Sequence, residues 1–113
     1  VRDPNAGDDA PIIVLRGYSD GTFESSTETG ASPEVVKRAE RDTQFAALVA
    51  DDATWTAEWR IPWTSLGIDP EESPKLAFNI TVRKPVNNLW QMWESTLGHS
   101  WEVDRAGFVV LKE

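Results

Sequence analysis

Apolar and polar residues alternate strictly over residues 54–61, with Trp55, Ala57, Trp59 and Ile61 on one face and Thr56, Glu58 and Arg60 on the other. A period of two predicts a strand buried on its tryptophan face, and Pro62, which has no N–H to donate, ends it. Residues 63–67 then read as one helical turn closed by Gly67. A second alternating run, 75–83, sets Leu76, Phe78, Ile80 and Val82 against Ala77, Asn79, Thr81 and Arg83, which predicts one continuous strand. Residues 44–50, 89–94 and 107–111 are further strand candidates, with turn chemistry at Asp51-Asp52 and over 85–88.

Upstream, residues 11–18 read as a buried strand through Ile12, Ile13, Val14 and Leu15. Ser19, Asp20 and Gly21 supply a turn, and Thr22, Phe23 and Glu24 begin a return strand, so a hairpin is expected. Residues 25–33 are rich in Ser, Thr and Gly and mark a surface loop. Ser32-Pro33-Glu34 has the make-up of a helix entrance, predicting a short helix over 33–41 whose charges form a solvated face. Many short strands with one small helix indicate an all-β fold, an antiparallel β-sandwich with jelly-roll or immunoglobulin-like layers. A length of 113 residues suits a single domain over 1–113.

Composition narrows the chemistry. There is no cysteine, so neither disulfides nor a thiolate metal or redox site is available. Nineteen acidic residues against eleven basic ones give a net charge of −8, which argues against nucleic acid as a partner. The longest apolar run is too short to span a bilayer, so no membrane partner is expected. The opening run holds Asp3, Asn5 and Asp8 at positions reminiscent of a calcium loop. A solvated acidic loop is the favoured reading there, with a structural calcium ion as the alternative and no other cofactor implied.

All six tryptophans lie from Trp55 onward. Tryptophan offers a wide flat face and one N–H donor, so a cluster either fills a core or stacks on a flat, partly polar ligand such as a sugar ring. The run from Trp55 to Gly67, Trp-Thr-Ala-Glu-Trp-Arg-Ile-Pro-Trp-Thr-Ser-Leu-Gly, resembles the signature strand of family 9 carbohydrate-binding modules. Phe78-Asn79-Ile80-Thr81-Val82-Arg83, then Trp93, then Ala106-Gly107-Phe108-Val109-Val110-Leu111 follow in that family's order, so the resemblance covers about 54–111. It implies a DOMON-like β-sandwich that binds poly- or oligosaccharide without cleaving it, carried by an exported bacterial protein outside the cytoplasm. The family's opening strands have no counterpart here, which implies the carboxy-terminal portion of a longer sandwich. An open edge and an uncovered apolar face would then favour self-association.

In such modules two tryptophans clamp a sugar. The resemblance makes Trp101, six residues before Gly107, the first choice for a ligand-facing ring, with Trp93 behind it. Trp90 and Trp93, three apart on a strand, face opposite sides, so one of them must approach solvent, a ligand or a partner. His99 lies in the polar company of Trp101. Arg83 could donate to sugar hydroxyls or form a buried pair with Glu58, and Asn79 could bind a sugar or satisfy a neighbouring backbone group. Core packing is the favoured role for Trp55 and Trp59, and Trp63 is read as wedged under the short turn.

An enzyme is disfavoured, because Asp8-Asp9, Asp51-Asp52 and Glu71-Glu72 fall in turns where solvation explains them and His99 has no triad or zinc companion. Two alternatives stay open beside sugar binding: an interaction β-sandwich with no sugar ligand, and a haem-binding relative using Met92 and His99 as axial ligands.

Overall fold

The structure, a computed structural model, describes residues 1–7, 10–51 and 54–111. Asp8, Asp9 and Asp52, read above as loop and turn carboxylates, lie outside the described residues. Among the described residues there are eight strands in antiparallel ladders, one nine-residue helix, one single-turn α-helix and two 3-10 turns. The class is all-β with one short helix, consistent with an incomplete sandwich. No helix among the described residues is long and apolar enough to cross a membrane. The chain forms two compact units: an internal one, Ile13–Asp69, and a terminal one, Val1–Ile12 with Pro70–Glu113.

In the internal unit, β1 (Val14–Gly17) and β2 (Phe23–Ser26) form the expected hairpin, although β1 begins three residues after the predicted start at residue 11. Its turn is fixed by Asp20, whose Oδ1 accepts the Thr22 N–H at 2.9 Å and the Thr22 hydroxyl at 2.7 Å. These donors, the hydroxyl foremost, hold the Asp20 carboxyl below the usual aspartate range. A depressed folded-state pKa stabilises the hairpin above the unfolded-state value, and that contribution disappears as pH falls through the folded-state one. An NMR titration is therefore expected to show Asp20 and the Thr22 amide moving together at lower pH than an ordinary aspartate; titration at the ordinary value would contradict this.

Helix α1 (Pro33–Arg41) starts as predicted, with the Ser32 hydroxyl accepting the Val35 N–H and Pro33 in the first turn. Its buried Ala39 lets it pack closely against β2 and the single turn α2 (Trp63–Leu66). Glu40 accepts the Ser25 N–H at 2.9 Å, and Arg38 donates to the Ser65 and Leu66 carbonyls that end α2. Gly67 closes α2 in the left-handed conformation at φ 70, as the sequence predicts.

Strands β3 (Gln44–Val49) and β4 (Trp55–Arg60) pair with Phe45 opposite Trp59 and Val49 opposite Trp55. The predicted tryptophan face exists, but only one end of it is covered. Phe23 and Phe45 hold Trp59 at ring separations of 5.6 and 4.3 Å, over a Gly17 whose missing side chain makes room for both strands' rings. Trp55, at the far end, is 41% exposed beside an exposed Val49. The core role expected of Trp55 is thus corrected: the aromatic cover from β1–β2 reaches Trp59 and stops. Trp63 is half-buried at the start of α2.

The terminal unit corrects the continuous strand over 75–83. Strand β5 (Lys75–Phe78) pairs with β8 (Gly107–Val110), whereas β6 (Thr81–Lys84) pairs with β7 (Leu89–Met92). The chain changes partner at Asn79 and Ile80. Leu76 and Ala77 are buried, while Ile80 and Val82, expected on the same buried face as Leu76, are exposed. On its other edge β5 exchanges two 3.0 Å backbone hydrogen bonds with Arg2. The Arg2 guanidinium binds Asp104 at 2.6 Å and the Gly7 carbonyl at 2.8 Å, fastening the opening residues to the 3-10 turn Val103–Arg105.

Candidate functional site

The partner change at Asn79 positions the candidate residues. Its side-chain amide takes over where the ladder stops: Oδ1 accepts the Glu94 N–H at 3.2 Å, and Nδ2 donates to the carbonyls of Glu94 at 3.1 Å and Ser100 at 3.3 Å. Glu94 follows Trp93 and Ser100 precedes Trp101. One amide therefore draws together the two segments that carry the tryptophans singled out by the resemblance. Asn79 satisfies backbone groups, one of the two roles the sequence left open, and its polar atoms are engaged in doing so.

Trp93 is 52% exposed, with its backbone N–H donating to the Ile80 carbonyl at 2.9 Å. Its ring sits 6.2 Å from Phe78 and lies across Gly107, where a Cβ would come within 2.7 Å of the indole. Glycine at the start of β8 is thus what allows the ring to lie there. Trp101 is half-buried, and the imidazole of His99 stacks on it face to face, with centroids 4.4 Å apart and planes 7° apart. One face of Trp101 is therefore already covered by an exposed ring.

The loop behind them is compact. Thr96 is buried and its hydroxyl donates to the His99 carbonyl at 2.9 Å, the Glu102 N–H reaches that same carbonyl at 3.0 Å, and Val103 is buried. At the loop's tip Leu97 holds φ 56, a left-handed conformation uncommon for a residue with a side chain, and is 94% exposed. Nothing in the pattern of residues singled it out; the only sequence signal is an apolar residue beside Gly98 in a polar loop.

Trp90 is also 52% exposed, and the β6–β7 register puts it opposite Arg83, on the other side of the ribbon from Trp93. The opposite facing expected from their spacing holds, and both rings meet solvent. Trp90 and Trp93 cannot form a clamp with each other. Arg83 is exposed, with its Nε and Nη2 on the Asn88 Oδ1 at 3.3 and 3.2 Å, and Glu58 is exposed as well, so the buried Arg83–Glu58 pair is corrected. Asn88, in the left-handed conformation at φ 51, was not singled out by sequence reasoning. Its signal was an asparagine pair in a tight hairpin loop.

Asp3 Oδ1 accepts the Asn5 N–H at 2.8 Å, and the Asn5 side chain donates to Ser73 at 3.4 Å. Asp8 lies outside the described residues, and among those described no group of three or more His, Asp or Glu side chains could hold a metal ion. Met92 is half-buried with its sulfur 3.9 Å from the Thr96 hydroxyl, and His99 is committed to its stack on Trp101.

Comparison with protein-family models, with curated proteins and with solved structures finds no match to this chain.

Proposed function

We propose that the chain is a non-catalytic glycan-binding module that stacks sugar rings on tryptophan, serving as an accessory part of an exported glycan-active or surface protein. The observation that carries this reading is the pairing of a half-exposed Trp93 with the Trp101–His99 stack, two segments held together by the Asn79 amide. Large flat rings that reach solvent, Trp93 directly and the Trp101 stack through His99, suit the apolar face of a pyranose. Exposed polar groups nearby, among them Glu94, Ser95 and His99, can meet hydroxyls directly or through water.

The test is tryptophan fluorescence across a panel of soluble oligosaccharides. Binding is expected to change the emission, and Trp93→Ala or Trp101→Ala to weaken binding by about tenfold, the loss of one ring's contact. Unchanged fluorescence across the panel, or binding indifferent to both substitutions, would contradict the proposal.

A second reading, a β module that binds another protein surface, is favoured by one observation. The β6–β7 register places Ile80, Val82, Leu89 and Trp93 on one face, and all four are exposed. Association that rises with concentration and is unaffected by sugars would favour it.

A further inference from the structure

The β6–β7 hairpin joins an aromatic ring to a cation that meets no carboxylate among the described residues. From Ser73 to Trp93 the sequence has no acidic residue, although the chain carries 19, and it holds Lys75, Arg83 and Lys84. Arg2, Arg16, Arg41 and Arg105 each pair with a carboxylate; Arg83 and Lys84, like Arg38 and Arg60, do not among the described residues.

Arg83 is nonetheless held in place. The backbone N–H of Trp93 donates to the Ile80 carbonyl, so counting along the ladder makes Arg83 and Trp90 a non-hydrogen-bonded pair, the kind whose side chains approach most closely. The guanidinium carbon lies 5.4 Å from the Trp90 ring centroid, a cation–π distance. Asn88 accepts from Nε and Nη2, and no acceptor among the described residues meets Nη1. A neutral amide thus orients the fork without neutralising its charge.

We propose that Arg83, laid on Trp90 and steadied by Asn88, receives the carboxylate or sulfate of an acidic sugar, so that the glycan bound carries anionic groups. This inference rests on the glycan reading above and adds a second subsite, on the opposite face of the β6–β7 ribbon from Trp93. A planar, weakly hydrated guanidinium matches an oxyanion in two-point geometry, here through the Nη1 edge that Asn88 leaves open, while Trp90 backs the cation. Lys84, next along the strand, lies on the opposite face and leaves the anion to Arg83 alone.

The test uses the full chain and three trisaccharides with a common ring: galactotriose, trigalacturonate and galactotriose sulfated at the 6-positions. At low ionic strength at least one charged sugar is expected to bind about fivefold more tightly than the neutral one, the scale of an exposed ion pair. Added salt should erase that preference, because exposed charges are screened. Arg83→Gln should bring the charged sugar's affinity down to that of galactotriose. Asn88→Gly, which keeps the left-handed turn but frees the guanidinium, should reduce the preference without abolishing it.

A preference confined to trigalacturonate identifies a uronate ligand, and one confined to the sulfated sugar identifies a sulfated glycan. Equal binding of all three, or a preference that survives Arg83→Gln, overturns the inference while leaving the glycan reading standing. Failure of the glycan reading itself is read separately, from a silent oligosaccharide panel.

Discussion

Replacing Trp59 with alanine is expected to destabilise the internal unit by about 3 kcal/mol, whereas Trp55→Ala costs under about 1 kcal/mol. Both residues lie on the same face of β4, and the alternation of the sequence does not tell them apart. The difference is cover. Trp59 meets Phe23 edge-on, with ring planes 79° apart, and Phe45 at 4.3 Å, and it sits over the bare backbone of Gly17. Truncating it opens a cavity between the β1–β2 and β3–β4 hairpins that neighbouring rings can only partly refill. Trp55 has no ring neighbour among the described residues and already meets solvent over 41% of its surface. Denaturant unfolding followed by far-UV circular dichroism separates the two variants, and equal midpoints would contradict the account.

Asn79→Ala is expected to cost about 2 kcal/mol in stability and to abolish measurable glycan binding, although the residue touches no ligand in this scheme. Three backbone groups lose their partner at once: the N–H and C=O of Glu94 and the C=O of Ser100. Freed of the amide, the segments bearing Trp93 and Trp101 have no shared anchor at this point, so the two rings lose their common placement. Asn79→Asp should be no milder than alanine. Its second oxygen would face two carbonyls where Nδ2 now donates, exchanging attraction for repulsion. Thermal unfolding and oligosaccharide titration of both variants measure this directly. A stable Asn79→Ala protein with undiminished binding would refute the positioning role.

The local elements were legible because their causes are local. Ser32 and Pro33 announce α1, Gly67 closes α2, and the period-two pattern of 54–61 predicts β4 to within two residues at its start and end. The split of the 75–83 run was not legible in the same way. Alternation records which face a residue takes and is silent on which strand it pairs with, so the pattern continues through Ile80 and Val82 although the partner has changed from β8 to β7. The sequence clue was Asn79, a residue poorly suited to a strand interior. Likewise the spacing of Trp90 and Trp93 predicts opposite faces. That both faces meet solvent depends on what packs against the ribbon, a property of the tertiary structure. The stack of His99 on Trp101 and the hold of Asn88 on Arg83 depend on loop conformations that residue types alone do not determine.

The six indole N–H signals in a ¹⁵N-correlated NMR spectrum report ligand contact one ring at a time. On addition of a binding oligosaccharide, the account predicts that the Trp93 and Trp101 signals shift together with ligand concentration while that of Trp59 stays in place. Six unmoved signals across the glycan panel, or shifts at Trp59 without shifts at Trp93 and Trp101, would contradict it.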